Sequence, residues 1–488
     1  MTAPLPAPSA TGARIAGDRY QWLVAWHACV TVLNDSATSV PNPVETVGVE
    51  VDGAGNLDDV VLYRRRPPHT YRQVKYAVDH TTPVSTDYLT QPAATGGLSI
   101  LRKIAAAWRR LAATGEPVEL AIITNRAPDP ADPLVSLRDA RTRLLLPKAA
   151  VGGPRSDRGR ARVAWAQAAG LTEEELLDLL AVLDFDLARD RGHVEEMTRL
   201  TMLVTGLRGD ADALAAGTDW IAEQVVAGRR LLDREMIENA VESRALRAGP
   251  ARAVVSVATL SPDPLAAQAR YALDWVDRFD GPDAYAKRRP KPPATWQHLQ
   301  ADVEAIPSHL GTACRVAVTG SLRQATAFTV GAALRMVTNT DVAVVQRGAL
   351  WASDAPYPEP IEPSIADCHI GQGSDIAIAI QIATPIAGDV QEFLRDRQLP
   401  VDRLVLLGPP GGPRDNAVGS PEDACALAVG LRDAARRAVH GHPRVHLFLA
   451  GPMGLSLLLG HRWNRVAPTI VYEDLAALGY EAAFIVSA

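Results

Sequence analysis

Four side chains within residues 56–78 have the types and spacing needed for chemistry on a phosphodiester. Asp58 and Asp59 precede the apolar run VVLYR, and Gln73 and Lys75 lie two positions apart in the next β-rich run, YRQVKYAV. Because successive side chains of a strand point to opposite faces, Gln73 and Lys75 share one face. Carboxylate and amide oxygens suit Mg²⁺, and a lysine beside a metal-bound water could orient that water and offset charge on the phosphate. The same residues could instead be the polar surface of an ordinary hairpin, because short motifs often occur by chance.

The elements that must position these residues are predicted in the order α-β-β-β-α-β. Periodicity predicts a first helix in YQWLVAWHACVTVLND, a later helix in GGLSILRKIAAAWRRLAATG and strands in VETVGVEV, VVLYR, YRQVKYAV and VELAIITN. Asp59 would then enter one central strand while Gln73 and Lys75 lie on the next. Glu50, on the preceding strand, is a candidate for a further acidic contact.

The length of the chain predicts several domains within an α/β fold class. At 488 residues, with 47% apolar and 22% charged residues, it has the composition of a globular protein too long for one core. We predict a main α/β core, then a helical part with a capping box at Thr172 and Glu175, then a proline-rich connector around one short helix containing Trp275. Alternating strands and helices follow and predict a mainly parallel sheet. The predicted segments are 1–13 (disordered tail), 14–155 (core), 156–246 (helical extension), 247–295 (connector) and 296–488 (second α/β domain).

Charge, cysteines and hydropathy exclude several classes of protein. The net charge of −6 argues against a surface that coats nucleic acid, although a local basic groove stays compatible with it. Cys29, Cys314, Cys368 and Cys425 are scattered without CxxC spacing, which favours free thiols in the cytoplasm over disulfides or zinc ligands. The longest apolar runs are far shorter than the ~20 residues of a membrane span, and the first residues lack the pattern of a signal peptide.

The second half shows no catalytic constellation but contains two similar stretches. VAVTGSLRQATAFTVGAAL and LFLAGPMGLSLLLGHRW each run from an apolar strand through a glycine turn into a helix, with a second glycine at Gly331 or Gly460. This pattern suggests a duplicated Rossmann-like unit. Helix N-termini reached through such turns can bind anions, whereas the absence of GxGxxG and of a P-loop argues against a dinucleotide cofactor or a triphosphate. Ligand binding without catalysis is therefore predicted. His446, on the strand VHLFLA, is predicted to be a core or rim residue.

The first 150 residues or so resemble the PD-(D/E)XK restriction-endonuclease superfamily, Mrr-like branch. Asp59, Gln73 and Lys75 fall on the motif positions, and GDRYQWL resembles the first-helix signature, with Gln21 where a glutamate is common. The resemblance implies cleavage of double-stranded DNA with Mg²⁺ or Mn²⁺, held by Asp59 and Gln73. Glutamine in place of glutamate at Gln21 and Gln73 lowers the negative charge of the site and leaves the number of metal ions open.

Basic residues near this motif are candidates for DNA binding. Arg64 and Arg65 leave the strand that follows Asp59, and Arg109 lies on the later helix, where arginines would contact phosphates. A solvated helix face is the alternative for Arg109. The run RSDRGRAR is predicted to be a mobile loop.

The second half resembles the SAVED domain, a fusion of two CARF-like (Rossmann-like) units that senses cyclic oligonucleotides in bacterial antiphage signalling. The resemblance rests on the two stretches above, on IQIATPIAGDVQEFL and above all on RVHLFLAGPMGLSLLLGHRWNRVAPTIVYED. Trp351 could stack on a base or fill the core. The other ligand-binding residues that the resemblance implies lie at strand ends: Gly320, Ser321, Arg323, Thr384, Pro385, Gly451 and Pro452.

A nuclease followed by a SAVED sensor is the architecture of effector endonucleases in cyclic-oligonucleotide antiphage systems (CBASS). It implies a bacterial cytoplasmic protein without a membrane partner, activated by a cyclic di- or trinucleotide from a partner nucleotidyltransferase (CD-NTase). Ligand binding would promote a homo-oligomer that cleaves double-stranded DNA. Two alternatives stay open: a binding or scaffold protein without catalysis, which Gln21 and Gln73 favour, and an enzyme that acts on a nucleotide in the second half.

Overall fold

The computed structural model describes residues 9–92 and 96–487, in two compact units, Met1–Pro250 and Ala251–Ala488. Most of the predicted tail, residues 1–8, lies outside the described residues. The first helix, α1, begins at Ala10 with Ser9 as its N-cap, so the end of the predicted tail is helical. No helix in the described ranges has both the length and the apolar character needed to cross a membrane.

The first unit contains a six-stranded sheet in the order β5-β4-β3-β2-β1-β6. Strands β1 to β3 are antiparallel neighbours, and β3, β4 and β5 run parallel. The elements are α1 (Ala10–Ala37), β1 (Val44–Val49), β2 (Val60–Arg64), β3 (His69–Lys75), α2 (Thr86–Thr90), α3 (Ile100–Ala112), β4 (Val118–Thr124), α4 (Asp157–Ala169), α5 (Glu173–Val182), β5 (Leu183–Asp186), α6 (Arg191–Val204), α7 (Ala211–Val226), β6 (Leu231–Asp233) and α8 (Arg234–Ser243).

The register of this sheet places the predicted site residues together. Val60 pairs with Arg72 across the antiparallel strands β2 and β3, so one further step along the register sets Asp59 opposite Gln73. Gln73 in turn pairs with Ile122 of β4, whose side chain belongs to the core on the α3 side of the sheet. Val74 points the other way, into the core formed with α1.

The predicted helical extension contributes two strands to the sheet, which corrects its assignment as purely helical. The capping box at Thr172 and Glu175 is present, but α5 ends at Val182 and LDFD continues as the edge strand β5. Its leucine and phenylalanine are buried while its aspartates are half-buried, an alternation typical of a strand. Strand β6, three residues long, pairs with β1 at the other edge.

The run RSDRGRAR is not a loop. Ser156 caps α4, which begins at Asp157. Arg162 is 4% exposed, and its guanidinium donates hydrogen bonds to Glu173 and to the carbonyl oxygens of Ala149 and Gly152. The prediction of a mobile loop is therefore wrong, because arginines dominated its composition and hid the helical pattern.

The second unit contains two sheets, in the orders β11-β10-β9-β7-β8 and β12-β14-β13-β15-β16-β17. Strands β8, β7, β9 and β10 run parallel, as do β14, β13, β15 and β16, and antiparallel strands lie at the edges. The elements are β7 (Ala253–Ala258), β8 (Tyr271–Asp274), α9 (Trp296–Glu304), α10 (Ile306–Leu310), β9 (Arg315–Thr319), α11 (Gln324–Ala333), β10 (Asp341–Gln346), β11 (Ala349–Ala352), β12 (Ser364–His369), β13 (Asp375–Gln381), α12 (Ala387–Asp396), β14 (Val401–Gly408), α13 (Pro421–Ala438), β15 (Val445–Ala450), α14 (Met453–His461), β16 (Thr469–Asp474) and β17 (Tyr480–Val486).

Two sequence predictions in this unit are wrong. The predicted connector, 247–295, supplies strands β7 and β8, and Trp275 follows β8 instead of lying within a helix. DVAVVQRGALW is a hairpin, not one strand, because Arg347 and Gly348 both take positive φ angles (51° and 72°) and turn the chain between β10 and β11.

Helices α11 and α14 pack on each other through reciprocal glycine contacts. A Cβ atom at Gly331 would lie 2.0 Å from the carbonyl oxygen of Leu457, and one at Gly460 would lie 1.9 Å from that of Phe328. Leu457 and Phe328 each stand three residues before the opposing glycine, so the two contacts are related by an approximate two-fold axis. Backbones approach this closely only where the Cβ is missing. This reciprocity supports the interpretation of a duplicated unit.

Candidate functional sites

Asp59 is a largely buried carboxylate held against β3. It accepts hydrogen bonds from the side-chain amide of Gln73 and from the backbone N–H of Val74, the latter at 2.7 Å. Burial raises the pKa of Asp59, while Lys75 and these two hydrogen bonds oppose that rise. Asp58 is less buried, and burial raises its pKa as well. Of the two adjacent aspartates, Asp59 is the one that accepts the hydrogen bond from Gln73.

Lys75 and Glu50 lie beside this pair. Lys75 is exposed, and its positive charge lowers the pKa of both Asp58 and Asp59. Its ammonium makes no hydrogen bond or ion pair with any other residue in 9–92 and 96–487. Glu50 accepts a hydrogen bond from the Gln21 amide at 3.3 Å, and the same amide lies 3.5 Å from the backbone oxygen of Asp59. The structure thus brings together the four predicted catalytic residues and Gln21.

The donor set of this site fits a hard divalent cation. No three His, Cys, Asp or Glu side chains gather into a metal-binding group in the described ranges, so a metal here would rely on amide and backbone oxygens as well as on carboxylates. The Asp59 carboxylate is an oxygen ligand of the kind that Mg²⁺ and Mn²⁺ prefer. The Gln73 amide nitrogen faces Asp59, so Gln73 would have to turn its amide oxygen towards a bound cation in order to ligate it.

The arginines predicted to bind DNA have partners within the first unit. The Arg65 guanidinium lies 2.8 Å from Glu45, and Arg109 donates to both carboxylate oxygens of Glu175 at 2.8 Å. Arg64 reaches the backbone oxygen of Asn42 at 3.4 Å. Arg110 is the arginine of α3 that lies near the acidic residues, since its charge lowers the pKa of Asp58.

In the second unit, the turn after β9 contains three predicted ligand residues. Gly320 has a φ of 104°, and a Cβ there would lie 2.1 Å from the carbonyl oxygen of Val257, so the turn requires glycine. The backbone oxygen of Ser321 accepts the N–H of Thr259 at 2.9 Å. Arg323 precedes α11, and its guanidinium donates to the backbone oxygens of Lys287 and Tyr285.

The turn after β15 approaches the first turn closely. The backbone oxygen of Gly451 accepts a hydrogen bond from the side-chain amide of Gln324, the first residue of α11. The hydroxyl of Ser456, one turn into α14, donates to the same side chain. Pro452 is the residue that precedes α14. Two helix N-termini therefore meet in this unit.

Three other predicted ligand residues differ in accessibility. Thr384 and Pro385 are exposed in the turn after β13, where a ligand could contact them. Trp351 is 3% exposed, lies within the hydrophobic core and is near Gly454. Of the two interpretations given to Trp351, the structure favours core packing.

Sequence reasoning missed two side chains that cap these helices. Glu473, at the end of β16, accepts the N–H of Ala325 in α11 at 3.1 Å, and Gln346, at the end of β10, accepts the N–H of Gly454 in α14 at 2.9 Å. Each cap comes from the strand that follows the other helix, so the exchange is reciprocal. Glu473 is 1% exposed, and burial raises its pKa to about 8. In the sequence, the only sign of the role of Glu473 is that a carboxyl group stands at the end of an apolar strand.

Replacing Glu473 with glutamine is expected to remove a pH-dependent loss of stability. The folded-state pKa lies above the ordinary value of 4.5, so between these values the unfolded chain has lost a proton that the folded chain keeps. The stability contributed by Glu473 therefore falls as pH rises through this window, by up to about 1.4 kcal/mol per pH unit. Glu473→Gln keeps an acceptor for Ala325 but cannot ionise. We expect its melting temperature to exceed that of the wild type at pH 8 and the gap to narrow towards pH 5.

Thermal unfolding of the full chain at pH 5, 6.5 and 8 measures this difference. The exposed Glu422, changed to glutamine, is the matched control and should give a pH-independent difference. The prediction would be contradicted if the difference in melting temperature between Glu473→Gln and wild type were the same at all three pH values.

The cysteines and His446 were also assigned from the sequence. All four cysteines are free, but only Cys29 and Cys425 are buried, whereas Cys368 is half-buried and Cys314 is exposed. His446 is 2% exposed and lies between Asp375 and Tyr472, with its ring nitrogens 3.2 Å and 2.9 Å from their oxygens. It is a core residue with both ring nitrogens hydrogen-bonded.

These features define an α/β protein with two units, and the second unit matches a family of sensor domains. Residues 299–486 match the family model of the SMODS-associated and fused to various effectors sensor domain, SAVED. Over 477 residues the chain is 24% identical to CD-NTase-associated protein 4 of Enterobacter hormaechei subsp. hoffmannii (strain UCI 50), covering 90% of this chain and 92% of that protein. The chain thus carries a C-terminal SAVED domain and is similar along most of its length to this protein.

Solved structures give weaker likenesses. The Acinetobacter baumannii Cap4 SAVED/CARF-domain-containing receptor with the cyclic trinucleotide 2′3′3′-cAAA aligns at 15% identity and a TM-score of 0.44, covering 99% of this chain and 100% of that chain. The Moraxella osloensis Cap4 receptor aligns at 16% identity and a TM-score of 0.42, covering 97% and 99%.

Proposed function

We propose that this protein is a CBASS effector that cleaves double-stranded DNA when a cyclic oligonucleotide binds its SAVED domain. In this proposal a partner CD-NTase supplies a cyclic di- or trinucleotide, ligand binding promotes a homo-oligomer, and the first unit cuts DNA in the bacterial cytoplasm. Activation requires that the ligand bind the active state more tightly than the idle state. The observation that carries the proposal is the placement of Asp59 opposite Gln73 on neighbouring strands, with the charge of Lys75 acting on Asp59, in a chain that also contains a SAVED domain.

The residues of the first unit have separate roles in this chemistry. Asp59 and the Gln73 amide oxygen would hold Mg²⁺ or Mn²⁺, which when bound supplies Lewis-acid polarisation of the phosphate. Lys75 is exposed and has no partner among the described residues, so its ammonium is available to orient the attacking water and to offset charge on the phosphate. Glu50, linked to Gln21, adds negative charge at the edge of the site.

The sensor role rests on the SAVED match and on the similarity to a protein named CD-NTase-associated. Within the second unit, the turns at Gly320 and Gly451 bring two helix N-termini together. Ligands of open α/β sheets bind at such strand ends. The exposed Thr384 and Pro385 lie at the end of a third strand and extend this surface.

Incubation of the purified full-length protein with supercoiled plasmid, Mg²⁺ and a panel of cyclic di- and trinucleotides tests the proposal. We expect linear or fragmented plasmid with at least one panel member and intact plasmid without nucleotide or with EDTA. Plasmid that stays intact with every panel member that binds the protein would contradict nuclease activity. Size-exclusion chromatography with the bound nucleotide reports on the oligomer.

A binding or scaffold protein without catalysis is the second candidate. The observation that favours it is the Gln73 amide, whose nitrogen donates to Asp59 in a position where many nucleases of this superfamily carry a glutamate. Such a protein would bind a cyclic oligonucleotide and leave the plasmid intact. The same incubation therefore separates the two candidates.

A further inference from the structure

An exposed aromatic ring lies in the second unit, on the loop formed by residues 280–291, which we call the Tyr285 loop. Tyr285 is 89% exposed, an unusual position for a side chain with so much apolar surface. The loop is nevertheless held by its own hydrogen bonds. The Asp283 carboxylate accepts the backbone N–H groups of Tyr285 and Ala286 at 2.9 Å and 3.0 Å. The ring is therefore presented by an ordered turn.

The second half of the Tyr285 loop is anchored by charged side chains. The Asp280 carboxylate accepts the backbone N–H groups of Arg288 and Arg289 at 3.0 Å and 3.1 Å. The Lys287 side chain is buried, and its ammonium donates to the backbone oxygen of Val276 at 2.6 Å. These contacts fix the backbone on both sides of residue 287.

Arg323 ties this loop to the turn before α11. Its Nε donates to the backbone oxygen of Lys287 at 2.8 Å, and its Nη2 donates to that of Tyr285 at 3.3 Å. The arginine that the sequence predicted as a phosphate ligand thus acts on the loop backbone. We describe Arg323 as a positioning residue, because it holds Tyr285 beside the N-terminus of α11.

Arg288 supplies a free cation next to this arrangement. Its guanidinium makes no hydrogen bond or salt bridge with residues 9–92 or 96–487. The pKa of Arg323 is lowered by burial and, in smaller part, by the like charge of Arg288, with Glu473 opposing. Two guanidinium groups that repel each other, one of them without a partner, favour an anion between or beside them.

We propose that the Tyr285 loop is part of the nucleotide site, with Tyr285 stacking on a base and Arg288 binding a phosphate of the cyclic oligonucleotide. An exposed ring and a free guanidinium three residues apart match the two parts of a nucleotide, a flat π face and an anion. This inference rests on the proposed function, because it assumes that the second unit binds a cyclic oligonucleotide.

Isothermal titration of the full-length protein with each member of a panel of cyclic di- and trinucleotides of adenosine and guanosine tests the assignment. For the panel member that binds wild type most tightly, Tyr285→Ala is expected to weaken affinity about 5- to 150-fold, the range for losing one stacked base. Tyr285→Phe keeps the ring and should bind within about 2-fold of wild type. Arg288→Ala should weaken binding about 10-fold or more and reduce its salt dependence.

The matched control is Val337→Ala, another exposed apolar side chain in the second unit, located after the C-terminal end of α11. It should bind as wild type does. If wild type and Tyr285→Ala bind the nucleotide equally well, the loop assignment is overturned while the proposed function stands. If wild type binds no panel member, the proposed function fails, and this inference fails with it. Because the Tyr285 ring is exposed, its removal should leave the melting temperature unchanged, which separates a binding defect from misfolding.

Discussion

Lys75→Ala is expected to slow ligand-activated plasmid cleavage by about 100- to 10,000-fold, the range for losing a residue that assists proton transfer or stabilises the transition state. The Lys75 side chain is exposed, lies on the same face as Gln73 and lowers the pKa of Asp59 through its charge. Its loss removes the only cation of the proposed catalytic group without disturbing the core. The measurement is the single-turnover rate of plasmid nicking at saturating nucleotide and Mg²⁺.

Two comparisons make this result specific to the site. Lys148→Ala removes an exposed lysine elsewhere in the first unit and should cleave at the wild-type rate. Nucleotide affinity of Lys75→Ala, measured by titration, should equal that of wild type, because the substitution leaves the second unit intact. Cleavage by Lys75→Ala at the wild-type rate would show that the active site lies elsewhere.

Gly460→Ala is expected to destabilise the second unit by about 3 kcal/mol or more, at or above the usual range for overpacking. The new Cβ would meet the carbonyl oxygen of Phe328 at 1.9 Å, and a backbone oxygen cannot rotate away as a side chain can. The helices α11 and α14 would have to separate, which would open the core beneath them. For a unit of this size we expect the melting temperature to fall by roughly 6–12 °C.

Gly388→Ala is the matched control, because Gly388 also lies in a helix of the second unit but has open space where a Cβ would go. It should raise the free energy of unfolding by about 0.4–1 kcal/mol, since alanine restricts the unfolded chain. Urea unfolding followed by tryptophan fluorescence measures both variants. Equal stability of Gly460→Ala and wild type would show that the helices can move apart at no cost.

The predicted catalytic group shows that contacts between residues close in the chain can be predicted from the sequence. Asp59 and Gln73 lie within one hairpin, so their approach depends only on local pairing and on the two-residue period of strands. The helix cap at Thr172 was predictable for the same reason, because a cap is a relation between residues three positions apart.

The missed features depend on pairing between distant segments. Strand β5 continues the apolar pattern of α5, and only its pairing with β4 makes it a strand. Strand β6 has a single buried residue, Leu232. Strand β7 could have been found, because AVVSVA is rich in β-branched residues, but the surrounding prolines favoured a connector.

In the candidate ligand site, too, the contacts that the sequence did not predict join segments that are distant in the chain. The resemblance assigned the turns at Gly320 and Gly451 to one ligand site, but it did not predict the partners of their polar groups. Arg323 donates to a loop about 36 residues earlier in the chain, and Glu473 caps a helix 148 residues away. No local pattern encodes such pairs.

The reciprocal contact of Gly331 and Gly460 has a consequence for folding and for evolution. Each helix completes its packing only against the other, and one continuous core contains residues of both sheets of the second unit. The two repeats should therefore fold in a single cooperative transition, and neither would be a stable fragment alone. A side chain gained at either glycine obstructs both copies at once, so the repeats are constrained to change jointly, whatever divergence their loops have undergone.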